Sequence, residues 1–255
     1  MRFVIFFLFL ILPAGLVSAR QIDVVVGWDK PPYVMAESHS GFELELVRQI
    51  LSELGHEMLP IYVPFGRTPR LVNARGVDIG LTMNERHPVD NAILSDVYVV
   101  YQNVAVSLKS RQLEIHELND LKRYSIAAFQ TAGQVLGEDY FAIVSNHPGY
   151  IEMPQQRRQV NLLLMGSVDV AVMDRNIFSH LRSKLPVARQ AEVEVHTLFG
   201  VSPYRAAIVD DELRHQFNQT LAAFIEDGRY QALIDRFGLV NLIDDVSAHS
   251  ISEHP

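Results

Sequence analysis

Strand-like and helix-like segments alternate along the chain, and this alternation constrains the fold more than any other feature of the sequence. Residues 22–28 are rich in β-branched side chains, and residues 41–56 carry apolar side chains at helical spacing. Two further strand-like segments, 58–65 and 76–82, are separated by a short helical segment. An alternation of strand, helix and strand predicts a parallel sheet.

The alternation starts again after an extended segment at residues 97–109. The second series of strand-like and helix-like segments occupies residues 124–129, 132–144, 150–153, 155–166 and 167–174. A further extended segment, 193–209, precedes two helix-like segments at 211–228 and 229–239. No Ser/Gly-rich linker separates the two series, so two chain crossings are predicted to join two α/β units, as in a hinged protein.

Two of the predicted strands end in opposite charges. "GVDIGLTMNER" (76–86) leads to Arg86, and "GSVDVAVMDRN" (166–176) leads to Asp174. Ligands of open α/β sheets bind outside the carboxyl ends of the strands. We therefore expect the two charges to face each other across a cleft and to bind a small zwitterion. Each residue also has a plainer interpretation, since Arg86 could be a surface loop arginine and Asp174 a helix cap.

The first residues have the layout of a secretory signal peptide. Arg2 precedes an apolar stretch that is short for a membrane span, and Val17-Ser18-Ala19 suits cleavage after residue 19. A retained N-terminal anchor is the alternative. Because the sequence contains no cysteine, we expect no lipid attachment, no disulfide and no thiolate metal site. The mature chain is predicted to be a soluble periplasmic protein.

Charge and motif content exclude several classes of function. The sequence has 22 basic and 30 acidic side chains, and loss of Arg2 with the leader makes the balance more acidic. Nucleic acids and anionic membranes require clustered Lys and Arg, so neither is an expected partner. The ten histidines show no metal-ligand spacing, and no nucleotide-binding motif occurs. We expect a monomer with no metal and no cofactor.

Six segments in order resemble family 3 of the bacterial extracellular solute-binding proteins, the periplasmic receptors of polar amino-acid ABC importers. The segments are "PPYV", "GFELELVRQI", "GVDIGLTMNER" followed by "LSDVYVVYQNVAV", "DLKRYSIAAFQTAGQ", "GSVDVAVMD" and "FNQTLAAFIEDGRYQALIDRFG". The resemblance implies an α/β, two-lobed periplasmic binding protein fold of type II, with two hinge strands. The implied organisation is a signal peptide (1–19), a first lobe (20–102 and 201–243), a second lobe (103–200) and a disordered tail (244–255).

The resemblance also implies roles for individual residues. Arg86 would clamp a ligand α-carboxylate and Asp174 would accept from an α-ammonium. Backbone N–H groups of Thr131, Ala132 and Gly133 would bind the carboxylate, and Tyr33 and Trp28 would sandwich the ligand. The chain departs from the family pattern between the strand aspartate and Arg86, where a longer stretch with several Ser or Thr is usual and Thr82 alone supplies a hydroxyl. It also departs at Thr131-Ala132, where Gly-Thr is usual. Arg67 is either a second anion ligand or a solvated residue at a helix start.

Two other functions use the same scaffold. A periplasmic sensor would present its ligand to a membrane receptor in place of a permease, and its binding site would be the same. A dehydratase of prephenate-like substrates would need an acid or base in the cleft, for which Glu43, Glu85 and His87 are candidates. Glu43 is expected on the solvated face of the first helix and His87 on a turn. A non-enzymatic binding role is therefore the prediction.

Overall fold

The computed structural model describes residues 19–28, 30–64 and 66–246. Its first α/β unit comprises strand β1 (Gln21–Gly27), helix α1 (Phe42–Glu53), strand β2 (Glu57–Val63), helix α2 (Thr68–Asn73) and strand β3 (Ile79–Met83). Strand β1 pairs in parallel with both β2 and β3. The strand and helix pattern at the start of the sequence therefore produces the expected parallel sheet.

A 16-residue strand, β4 (Ile93–Leu108), leads into the second α/β unit. This unit comprises strand β5 (Ile126–Phe129), helices α3 (Ala132–Val135) and α4 (Glu138–Val144), strand β6 (Tyr150–Met153), helix α5 (Gln156–Leu164), strand β7 (Val170–Asp174) and helix α6 (Arg175–Ser183). Strand β5 pairs in parallel with β6 and β7. The two units therefore share a plan, as the repeated pattern predicts.

The chain returns to the first unit through two further strands. Strand β8 (Val193–His196) pairs with the end of β4, and β9 (Val201–Ile208) pairs with β3 and with the beginning of β4. Helices α7 (Asp211–Glu226) and α8 (Arg229–Phe237) then pack on α1. We call β1–β3, β9, residues 93–102 and helices α1, α2, α7 and α8 the first lobe, and the remaining elements the second lobe.

Strand β4 belongs to both lobes. Residues up to Gln102 pair with β9, whereas Asn103 and the residues after it pair with β7 and β8. The second crossing lies at residues 197–200, between β8 and β9. The strands form one series in the order β2-β1-β3-β9-β4-β7-β5-β6, with β8 also on β4. One cluster of buried apolar residues includes members from both lobes.

Several sequence expectations need correction or lie beyond the described residues. The helix predicted at 132–144 is two short helices, because Gly137 adopts a φ of +99° between them. The segment 193–209 contains two strands rather than one extended stretch. The leader and the tail fall almost entirely outside the described residues, so both stay predictions, as do the lobe boundaries. No helix in the described part of the chain is long and apolar enough to cross a membrane.

Candidate ligand-binding cleft

The ends of several strands meet where β4 crosses from one lobe to the other. Strands β1 and β3 run in parallel, so Lys30 and Tyr33 after β1 lie at the same sheet edge as Thr82 in β3. In the second lobe β7 ends at Asp174, which pairs with Asn103 of β4. The fold thus brings first-lobe side chains against the carboxyl end of a second-lobe strand, where open α/β sheets bind ligands.

Asp174 is a buried carboxylate that accepts hydrogen bonds from three backbone amides. It caps helix α6 by accepting from the N–H groups of Asn176 and Ile177, both at 2.9 Å. A third amide, that of Gln102 on the crossing strand, donates to it at 3.1 Å. Burial raises the pKa of Asp174 to about 6, although the three amides and the Tyr33 hydroxyl act in the opposite direction. The helix-cap interpretation of this residue is therefore part of the structure.

Tyr33 connects the two lobes at Asp174. Its hydroxyl lies 3.2 and 3.3 Å from the two carboxylate oxygens and accepts a bond from the Asn176 amide group at 2.9 Å. Burial raises the pKa of Tyr33 well above its usual value, and the negative charge of Asp174 adds to the effect. The hydroxyl is therefore protonated and donates to Asp174 across the cleft.

Three tyrosine rings form an aromatic wall beside this contact. The rings of Tyr33 and Tyr101 stack with centroids 4.0 Å apart, and Tyr204 meets Tyr101 edge-on at 5.1 Å. Tyr33, the aromatic residue after "PP", thus lies in this wall, and its role in sandwiching a ligand stays a prediction. Trp28 does not join the wall, since it is 59% exposed.

Glu43 lies beneath the aromatic wall, so the expectation of a solvated glutamate on the first helix is wrong. The residue is fully buried, and its carboxylate accepts from Lys30, Thr82, Tyr98 and Tyr101. Burial alone would raise the pKa of Glu43, but Lys30 and the three hydroxyl groups outweigh it and lower the pKa. The sequence held one signal, because Glu43 stands one and two turns before Val47 and Ile50 on the buried side of α1.

Thr82 reaches Glu43 through a distortion of strand β3. Its φ is +57°, which is an outlier for a β-branched residue, and the pairing of β3 with β9 shifts register between Gly80 and Met83. The Tyr98 hydroxyl accepts the Thr82 N–H at 2.9 Å. Strained residues of this kind cluster at functional sites, and the role of Thr82 in ligand binding stays a prediction.

Arg86 lies on an exposed turn, three residues after strand β3 ends at Met83. Its backbone N–H donates to the Asn84 side chain at 3.1 Å. Burial, Glu43 and Asp174 raise the pKa of Tyr204, and the positive charge of Arg86 acts against them. Arg86 is therefore within electrostatic reach of the aromatic wall. Arg67 is exposed immediately before α2, as its solvated interpretation expects.

The predicted backbone donors of the second lobe already hold a carboxylate of the chain itself. Glu152 accepts from the N–H groups of Thr131 at 2.7 Å and of Gly133 at 2.9 Å, and from the Tyr150 hydroxyl at 2.8 Å. These donors outweigh burial and lower the pKa of Glu152. Ala132 is buried between them. The structure thus connects Tyr33, Thr82 and Asp174 in one network, and gives Thr131 and Gly133 a different partner.

Comparison with known proteins decides the family. The model of the bacterial extracellular solute-binding proteins, family 3, matches residues 22–240. The chain belongs to this family. No curated protein sequence shows significant similarity to it. The fold is the two-lobed α/β fold of periplasmic binding proteins, as the sequence predicts.

Solved structures similar to this solute-binding protein share its fold at low sequence identity. A histidine kinase sensor domain with similarity to periplasmic binding proteins is 18% identical, with a TM-score of 0.66 over 86% of this chain and 96% of that one. The arginine-bound amino acid ABC transporter substrate-binding protein AbpA from Streptococcus pneumoniae is 18% identical, with a TM-score of 0.63 over 85% and 94%. An ancestral amino acid-binding protein, described as a precursor of cyclohexadienyl dehydratase, is 19% identical, with a TM-score of 0.64 over 85% and 95%.

The residues proposed for catalysis are poorly placed for acid or base chemistry in this solute-binding protein. Glu43 is enclosed by its four donors, and Glu85 is exposed on the turn after β3. His87 accepts from the Asn84 N–H at 3.1 Å within that turn, and burial lowers its pKa. Among the described residues no cluster of acidic and histidine side chains could hold a metal ion.

Proposed function

We propose that this protein captures a small polar solute and delivers it to an ABC importer. The proposed solute is an amino acid or a related small carboxylate. The proposal rests on Asp174, a buried carboxylate that faces the first lobe and bonds the Tyr33 hydroxyl there. An ammonium in place of that hydroxyl forms charge-assisted hydrogen bonds, which are about twice as strong as neutral ones. A ligand amine can therefore compete for Asp174.

The aromatic wall favours the same ligand chemistry. Tyr33 bonds Asp174, and the rings of Tyr101 and Tyr204 follow it in the wall. Aromatic faces attract cations within about 6 Å of the ring centre. Arg86 is the proposed partner of the ligand carboxylate, because its guanidinium suits bidentate capture and its turn follows strand β3. Arg86 is exposed while the lobes are in contact, so binding a carboxylate in the cleft requires its side chain to turn inward.

The proposed setting is the periplasm, with an inner-membrane permease as the partner. The leader-like residues 1–19 and family membership support export, and the fold shared with AbpA supports a transport role. A membrane sensor is the second candidate partner, since the fold is also shared with a histidine kinase sensor domain. Genes for a permease and an ATPase beside the gene for this protein would favour transport, and their absence would favour sensing.

Calorimetric titration of Asp174→Asn tests the ligand assignment. We expect the variant to bind amino acids about thirtyfold or more weakly than the wild type, because removal of a buried charge partner typically costs about 2–5 kcal/mol. Acids that lack the amine should bind the variant and the wild type equally. Arg86→Ala should weaken both kinds of ligand.

Asp210→Asn is the matched control, because Asp210 caps α7 with the same chemistry outside the cleft. This variant should bind amino acids as the wild type does. Unchanged affinity in Asp174→Asn would reduce Asp174 to a helix cap and remove the amine from the proposal. A thermal-shift screen of amino acids, small carboxylic acids and amines supplies the ligand, since binding to the folded state raises its stability.

A further inference from the structure

Lys30 and Glu43 form an ion pair at the floor of the cleft that amine recognition does not use. The Lys30 Nζ atom lies 3.3 Å from Glu43 Oε1 and 2.9 Å from Thr82 Oγ1. The side chain of Glu43 is fully buried, whereas that of Lys30 retains 12% exposure. Burying an ion pair costs free energy unless hydrogen bonds satisfy the remaining donors and acceptors of both groups. A donor or acceptor that is left over is available to a ligand.

The carboxylate of Glu43 has no capacity left for a ligand. Oε1 accepts from Lys30 and from the Tyr101 hydroxyl at 2.6 Å, and Oε2 accepts from Thr82 at 2.8 Å and from Tyr98. A carboxylate offers about four lone-pair sites in all. The hydroxyl groups of Thr82, Tyr98 and Tyr101 each donate their single hydrogen to Glu43. The pair therefore presents no acceptor to a solute cation.

Lys30 differs because an ammonium has three donors. Two of them are directed at Glu43 and Thr82, and within the described part of the chain the third has no side-chain acceptor. The Nζ atom lies 5.3 Å from the centre of the Tyr101 ring, which stacks on Tyr33. Tyr33 in turn bonds Asp174. The Lys30 ammonium thus lies beside the Tyr101 ring of the aromatic wall, and Asp174 lies beside the Tyr33 ring.

The backbone of strand β3 is distorted to hold this arrangement. The φ of +57° at Thr82 turns its hydroxyl between Lys30 and Glu43 while its N–H bonds Tyr98. Left-handed backbone at a non-glycine residue costs free energy and persists where the surroundings enforce it. The strained backbone therefore holds the Lys30 ammonium in one position. Less conformational entropy is then lost when this side chain binds a ligand.

We propose that Lys30 binds a second anionic group of the solute and selects amino acids with an acidic side chain. Glu43 and Thr82 are positioning residues that hold the ammonium. This inference rests on the proposed function, in which Asp174 binds the amine and Arg86 the α-carboxylate. Lys30 then supplies the point charge for the carboxylate at the other end of the molecule.

The test compares each acidic amino acid with its neutral isostere by calorimetric titration. The probes are L-glutamate against L-glutamine and L-aspartate against L-asparagine. We expect the wild type to prefer one acidic member by about tenfold or more, and Lys30→Met to reduce that preference to near one. Lys109→Met is the matched control, because it removes the same charge from an exposed side chain of the second lobe and should leave the preference unchanged.

The double variant Lys30→Met with Glu43→Gln covers the case in which Lys30→Met alone leaves Glu43 charged and unfolds the protein. It removes both buried charges together, and it should also lose the acidic preference. If the wild type binds amino acids without preferring acidic ones, the inference is wrong and the proposed function stands. The same conclusion follows if a folded Lys30 variant keeps the acidic preference. A wild type that binds no amino acid of any class overturns the proposed function as well.

Discussion

At the scale of single residues, Asp174 combines two structural roles with its proposed role in binding. The same carboxylate caps α6, fixes the crossing strand through the Gln102 amide and faces the first lobe through Tyr33. Glu43 likewise stabilises the interior while it positions Lys30. Each carboxylate can take both roles because several elements contribute donors to its two oxygens.

The raised pKa of Asp174 predicts that ligand affinity depends on pH. The amine binds the ionised carboxylate, which is present above a pKa of about 6 and lost as pH falls through that value. Affinity for an amino acid should therefore be about tenfold weaker at pH 5 than at pH 7. Calorimetric titration at the two values measures the change, and Asp174→Asn should show little dependence on pH.

The unliganded protein gives an independent readout with the opposite sign. Asp174 holds its proton more tightly in the folded protein than in the unfolded chain. Protonation of Asp174 therefore stabilises the fold at low pH, and this contribution declines as pH rises through about 6. The stability difference between wild type and Asp174→Asn should shift in favour of the wild type at pH 5. If the stability difference between the two proteins stays constant from pH 5 to pH 7, the pKa of Asp174 is not raised in the folded state.

At the scale of elements, the start of α1 determines where Tyr33 lies. Gly41 precedes the helix with a φ of +123°, and a Cβ atom there would stand 2.3 Å from the backbone oxygen of Tyr33. The Phe42 and Glu43 amides bond the backbone oxygens of Pro32 and Tyr33. The loop after β1 and the first turn of α1 are therefore one packed unit, and only glycine fits at their junction.

Gly41→Ala should destabilise the fold and weaken ligand binding together. The alanine adds backbone strain and a clash with main-chain atoms that cannot move independently, so we expect a loss of about 2–4 kcal/mol in the free energy of unfolding. Gly137→Ala is the control, because Gly137 has a φ of +99° with no atom within 4 Å of its Cβ position. It should lose about 1–2 kcal/mol from strain alone. Equal losses in urea titrations would show that the clash is unimportant.

At the scale of the whole molecule, the structure has its lobes in contact. The chain crosses between them within β4 and again at residues 197–200, and Tyr33 forms a direct hydrogen bond from one lobe to the other. Two crossings permit rotation about a hinge. We therefore expect the contact at Tyr33 to stabilise a closed form over an open one.

Tyr33→Phe should shift the unliganded protein toward the open form. A hydrogen bond to a charged group contributes about 1.5–3 kcal/mol, so its loss should raise the ratio of open to closed molecules by roughly tenfold or more. Small-angle scattering should then show a larger radius of gyration than for the wild type. Tyr62→Phe removes a hydroxyl that bonds His39 outside the cleft and should leave the profile unchanged. Identical profiles for all three proteins would rule out Tyr33 as a contact that controls closure.

The local pattern of the sequence determined the elements and their order, because strand and helix periodicity depend on residues a few positions apart. It also determined the family and the placement of Asp174 and Thr82 at strand ends. The tertiary structure alone decided which donors surround Glu43, that Lys30 meets Thr82, and that Glu152 takes the amides of Thr131 and Gly133. These contacts join residues far apart in the chain, and burial of a charge depends on whether such a partner exists. The spacing of apolar residues predicts which face of a helix is buried. Whether a charged residue can lie on that face depends on the partners that the packed structure supplies.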